Sequence, residues 1–284
     1  MWPGRWRRVI PGGFPRRYHD RMNPVTSPQG WPGRVRRRVR RAWGMLHTSA
    51  LVLALLLSPS SYRRENRATL ARHVYLGTAP LLPWFTVLVA LASLVVIRIV
   101  VVTAASYGLS QYALEMVVRV LVLELIPLTA ALFVAVRCTL PAGVELVALR
   151  GRGGFEALRA RGVDPLVTEV VPRVLAGLFA VVTLAAVSCV VSLVLAYLVV
   201  HGLTHAAFDS YTRKVGQVFN PAVTLIFSLK TVFFSLAVSL IPMVSSLHDP
   251  WSGKVQALPE LQGLVRMFLL ILLIEVASLM GNYY

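Results

Sequence analysis

Acidic residues are scarce in this chain. Of 284 residues, 12 are Asp or Glu against 29 Lys or Arg, and charged residues of both signs make up 14%. Soluble domains carry roughly 25%. With 56% hydrophobic residues and a mean hydropathy of +0.67, that deficit excludes an ordinary water-soluble globule and puts the protein in a bilayer. Cysteine is almost missing too. Cys138 and Cys189 both lie in apolar runs, which excludes a disulfide framework and reads as two packed free thiols. There is no C-x-x-C or H-E-x-x-H, and the six histidines do not cluster at ligand spacing, so no metal site is expected. A phosphate-cradling loop is also lacking. The only Gly-Lys step is Gly253-Lys254, followed by Val255 and without the upstream glycine, so the chain binds no nucleotide itself.

What is abundant is arginine at one end. Residues 1–72 hold sixteen of the 29 basic residues against Asp20 and Glu65. On a chain with an apolar body this reads as attraction to anionic headgroups and not to nucleic acid. Residues 1–33, rich in Pro, Gly, Arg and Trp without periodicity, read as a disordered basic arm, and Met22 and Met45 leave the start open. Over 34–60, Val35, Val39, Trp43, Leu46, Leu53 and Leu57 step at helical spacing, with arginines on the opposite face. That predicts an interfacial amphipathic helix with Arg37, Arg41 and Trp43 as membrane-surface anchors. A twin-arginine signal peptide is the rival for this stretch, but it lacks a cleavage site.

The apolar runs predict an all-α polytopic fold with five spans, at about 80–104, 112–140, 171–201, 217–244 and 260–281. Loop arginines fall on the N-terminal arm and on 141–173. An odd number of spans then places the N-terminus in the cytoplasm and the C-terminus outside.

Residues 141–173 form a charged island between two apolar runs. They carry Glu145, Glu156, Asp164 and Glu169 with five arginines, and such a segment cannot sit in hydrocarbon. Phe155, Leu158 and Val163 recur at roughly helical spacing, predicting a short amphipathic helix within about 145–163. Asp164-Pro165 is expected to stop it, since a residue before proline is pushed out of the α region.

The stretch GFEALRARGVDPLVTEVVPRVLAG resembles the signature of the MlaE/YrbE permeases, the membrane subunits of ABC-type lipid transporters that work with MCE-domain proteins. LELIPLTAALFVAVR (123–137) is similar to the same family's R-E-L-G-P-V-x-A-A-L-x-x-A-G-R, and the likeness runs over about 34–284 to the C-terminal Met-Gly-Asn. It implies a permease domain over 61–284 that moves phospholipid or a related lipid and has no catalytic residues. ATP sits on a separate ATPase subunit, and the permease itself binds no cofactor. Its other implied partners are an MCE-domain substrate-binding protein and a second permease copy or a homologue, in a bacterial inner membrane with the C-terminus periplasmic. The island is then the coupling helix that docks on the ATPase, with Glu145, Arg150, Arg152, Phe155, Glu156, Leu158, Asp164 and Pro165 as its residues. One departure is visible. Where the family has a Thr-Glu run, this chain has Arg150-Gly151-Arg152-Gly153-Gly154, and two glycines weaken a helix start by roughly 1 kcal/mol each. The alternatives are a membrane-embedded lipid-modifying enzyme, which needs a His/Asp constellation not found here, and a secondary transporter, which needs an internal repeat.

Charges at membrane depth cost about 2.5–3.5 kcal/mol each, so each requires a partner or a wet cavity. Glu124 and Lys230 have similar depths and form a possible pair. Either the pair fixes helix register, or, as the resemblance implies, Glu124, Leu125, Leu128 and Lys230 line a cavity that holds a lipid headgroup. Glu115 and Arg119 support each other at i,i+4. Arg98 and Glu275 either pair or snorkel, and Arg137 is expected to anchor on headgroups.

Overall fold

The computed structural model describes residues 31–58, 64–248 and 257–283, in two units, Met1–Gly44 and Met45–Tyr284. Residues 1–30 of the expected basic arm lie outside the described residues. The described residues are helical, with no strand among them. In chain order the helices are α1 (Trp31–Leu57), α2 (Arg64–Thr78), α3 (Leu81–Ser106), α4 (Ser110–Gly151) and α5 (Gly154–Ala160). Then come α6 (Leu166–His201), α7 (Phe208–Val218), α8 (Pro221–His248) and α9 (Ala257–Tyr283). Five helical stretches are long and apolar enough to cross a membrane: Leu70–Ser106, Ser110–Gly151, Leu166–His201, Pro221–His248 and Gly263–Gly281. The number is the one the apolar runs predicted. The bounds differ most at the second, where helix continues past Leu140 into the charged island, because Leu146 turns inward and gives that turn a buried face.

α4 is the centre of the bundle. In its most apolar window 61% of residues are buried, against 22% for the first and fifth spans, so the others pack round it. Val117, Val118, Val122, Ile126 and Val134 of α4 meet Phe85 and Ile97 of α3, Leu184 of α6, Phe234 of α8 and Ile271 of α9. Gly177 of α6 permits close approach to its neighbours: a Cβ there would stand 2.5 Å from Ser239 Oγ and 2.8 Å from Thr139 Cγ2. Small residues at such crossings are how helices pack in lipid. Gly177→Ala should therefore destabilise by about 1–3 kcal/mol through overpacking. Thermal unfolding in detergent micelles would read this as a lower midpoint.

Three prolines shape the helices in one way. Pro127, Pro141 and Pro172 have no N–H, and their rings crowd the carbonyl four residues back. At each, the helix widens into a π-helical stretch just upstream, over Val118–Leu125, Ala135–Thr139 and Leu166–Val170. The residue before each proline donates to the carbonyl five back: Ile126 to Leu121, Leu140 to Ala135, and Val171 to Leu166. The wider turn relieves the crowding without breaking the span.

The C-terminal part of α1 packs on the body. Val52 and Leu56 are buried with Leu146, Phe155, Val170, Val174 and Met243, and Leu53 of the expected stripe packs on the same cluster, while Leu46 and Leu57 of that stripe are exposed. The buried face is thus rotated from the expected one, because the body supplies an apolar surface to which Val52 and Leu56 turn. The side chains of Arg37 and Arg41 lie outside the described residues, whereas Trp43 is 71% exposed.

Candidate functional site

The first group of candidate residues sits where α4, α8 and α9 meet. Lys230 of α8 is 2% exposed and its ammonium pairs with Glu124 Oε2 of α4. Glu275 Oε2 of α9 lies 2.8 Å from the same nitrogen, a charge contact without the alignment of a full hydrogen bond. The site is therefore a triad, with two carboxylates on one ammonium. Lys230 Nζ also donates to the Leu123 carbonyl at 3.4 Å, the carbonyl four residues before Pro127 that receives no N–H from that proline. The Phe234 ring, 5.7 Å from the ammonium, completes its surroundings.

Glu275 was expected to meet Arg98 or to snorkel, and it does neither. Arg98 stands on the exposed face of α3 with Leu91, Leu94, Val95 and Val102. Depth along the helices does not separate the two possibilities; the direction of the side chain does. Of the other residues expected at the cavity, Leu125 points outward and Leu128 is half-buried against the core. Glu115 and Arg119 form the expected i,i+4 pair at 3.0 Å. Arg137 is exposed on α4, about four turns before its charged end at Gly151.

The second group lies at that same end, in the turn joining α4 to α6. Helix was expected continuously within 145–163, but α4 ends at Gly151 and α5 is a separate helix of seven residues. Gly153 (φ +75°) takes the left-handed conformation that closes α4, donating to the Arg150 carbonyl. Gly154 packs where a Cβ would meet Leu149 Cδ1 at 2.7 Å. The glycines that seemed to weaken a helix thus build a tight turn instead.

α5 does not run to Asp164-Pro165 either. Gly162 (φ +74°) donates to the Arg159 carbonyl and Val163 to that of Leu158, a Schellman motif that ends the helix at Ala160. Asp164-Pro165 begins the next helix. The Asp164 carboxylate accepts from Leu166 N–H at 2.9 Å, and buried Pro165 takes the first helical position, where no N–H is needed. Asp164→Ala should cost about 1 kcal/mol, measured by the same micelle unfolding, with Asp164→Asn nearly neutral.

Within the turn, Phe155 is 9% exposed and seats α5 on Leu146, Val170 and Val174. Glu145, Arg152, Glu156, Arg159 and Arg161 are exposed, and Leu158 is half-buried. Arg150 points back into the protein, its guanidinium donating to the Leu247 carbonyl and, at 3.5 Å, to that of Ser246 at the end of α8. Arg173 pairs with Glu169 on the first turns of α6.

At the opposite end of the bundle, α7 was not anticipated. Tyr211 and Val218 are buried, and the Tyr211 hydroxyl donates to the Leu193 carbonyl at 2.7 Å. Burial pushes its phenol up to about 12, so it remains a donor at ordinary pH. Tyr197 and His201 meet its ring edge-on, and Phe208 packs in turn on Tyr197. The signal was the 208, 211, 215, 218 spacing in a stretch that otherwise reads as loop. Among the described residues no group of three or more His, Cys, Asp or Glu side chains could hold a metal.

No curated protein matches the sequence. The family described as Permease MlaE matches over residues 70–280, which includes the triad, α5, four of the five candidate spans and all but the last residue of the fifth.

Proposed function

Since the chain belongs to the MlaE permease family, and is thus a membrane permease component of a lipid-transport system, we propose that it is the transmembrane subunit of an ABC transporter that moves phospholipid between membranes, with ATP bound on a separate ATPase. The observation that carries this reading is α5, a short helix with an exposed charged face, hung between two left-handed glycines and seated by Phe155. A helix mounted this way has two sides with different tasks. Its polar side, with Glu156 and Arg159, and Arg152 in the turn before it are available to a groove on a cytoplasmic partner, and its apolar side passes displacement to α4 and α6. Glu145, the acidic position of the family pattern, is exposed on the last turns of α4.

The triad is the complementary feature. In the described conformation Lys230 is closed off by Glu124 and Glu275, so a lipid phosphate reaches it only after α8 or α9 has moved. ATP-driven displacement of α5 supplies that motion. Two copies of the five-span unit, or one copy with a homologue, enclose the lipid, with α5 cytoplasmic and an MCE-domain partner on the periplasmic side of the inner membrane.

The test is purification of the full tagged chain from native membranes and assay of ATP hydrolysis in the complex. The wild-type chain should bring down an ATPase subunit, and Glu156→Arg should lose it while eluting as a folded permease. An unchanged ATPase with Glu156→Arg would remove the docking assignment, and its absence from the wild-type preparation would remove the ABC reading.

A further inference from the structure

The geometry points to Arg150 as a clamp that ties the α4–α5 turn to the charged end of α8, so that displacement of α5 reaches Lys230 through α8 and not through α4 alone. This inference rests on the docking of α5 proposed above, and adds the route by which motion leaves it. Three contacts on one face of α4 carry it. Gly143 lies against Pro242, where a Cβ would come within 3.5 Å of the Pro242 carbonyl oxygen. One turn on, Leu146 is buried in the same cluster as Met243. One further turn on, Arg150 donates to the Ser246 and Leu247 carbonyls. Positions 143, 146 and 150 thus form a seam against 242, 243 and 246–247, and the seam ends in a charge.

That ending has a physical reason. The last four carbonyls of a helix have no partners within it and carry the negative end of its dipole, and a guanidinium presents several donors at once. Arg150 meets the carbonyls of Ser246 and Leu247, within two residues of His248, the last described residue of α8. It lies three residues before Gly153, the left-handed hinge from which α5 hangs, so a shift of α5 pulls first on the turn that contains Arg150. α8 then acts as a lever: Lys230 is 17 residues from Leu247, about 25 Å at helical rise. Arg150 is a positioning residue in this account and touches no lipid.

The test uses the purified complex with the ATPase that co-purifies with the wild-type chain, reconstituted in liposomes, with transfer of a fluorescent phospholipid to acceptor vesicles as readout. Arg150→Ala should leave ATPase binding and ATP hydrolysis within about twofold of wild type, but lower phospholipid transfer about tenfold or more, the size expected from losing charge-assisted bonds. Arg150→Lys, which keeps one charged donor, should restore at least about half of the transfer, a rescue that lost packing would not show. Should Arg150→Ala fail to accumulate in the membrane, Arg150→Gln is judged by the same criteria. Wild-type transfer in the variant would overturn the clamp and leave the docking reading intact. Loss of ATPase binding in both Ala and Lys variants would overturn it as well, by assigning Arg150 to the docking face.

Discussion

Replacing Lys230 with methionine should be among the most damaging single changes in this protein, lowering stability by about 3–5 kcal/mol. The ammonium is buried between Glu124 and Glu275, and its removal leaves two carboxylates facing each other without a cation in the interior of the bundle. Removing one partner of a buried pair costs far more than replacing the whole set with neutral groups of similar volume, because the remaining charge keeps its desolvation penalty. The triple change Lys230→Met, Glu124→Gln, Glu275→Gln should therefore recover most of the lost stability, measured by unfolding in mixed micelles. It also separates the two roles open for the triad. If the triad only fixes helix register, the stabilised triple variant transports lipid; if Lys230 meets the headgroup, it folds and does not transport.

Phe155→Ala should have the second largest effect, about 3–5 kcal/mol if the cavity does not collapse. The ring fills the space between α5, α4 and α6, touching a cluster that also includes Val52 and Met243. The loss is local in kind. α5 is seven residues long and has no other buried aromatic, so it should detach while the five spans persist. Limited proteolysis should find new cleavage within 152–163 in the variant, with far-ultraviolet helicity almost unchanged. Phe155→Leu, which keeps most of the apolar volume, should restore protection.

Much of this architecture was readable from residue types. Five apolar runs gave five candidate spans because a helix that crosses lipid must be apolar over its whole length, a signal that no neighbour can override. The Glu124–Lys230 contact was legible from depth alone, since unpartnered charges inside a bundle are costly. Glu275 was not, because similar depth says nothing about which way a side chain faces, and Arg98 at comparable depth is turned to the outside.

Direction also hid the arrangement of the coupling turn. Arg150 was grouped with the outward arginines by its neighbours in sequence, while its guanidinium turns inward to the Ser246 and Leu247 carbonyls of α8, almost a hundred residues away. The glycines at 153 and 162 were read by helix propensity, which assumes a helix interior, although both occupy left-handed positions that end one. Asp164-Pro165 was read as a stop when the same pair, a carboxylate cap followed by proline, is also a start. The π-helical widening before three prolines was not legible, because Ile241-Pro242 on α8 is the same apolar-proline step inside a span and carries no such widening.

The account depends most on α5 lying on the cytoplasmic side. A single cysteine at Glu156, in a chain whose Cys138 and Cys189 have been replaced by serine, can be offered a membrane-impermeant maleimide in intact cells and again after permeabilisation. The account predicts labelling only after the membrane is opened; labelling of intact cells at the same rate would place the helix outside, beyond the reach of any ATP-driven partner, and contradict it.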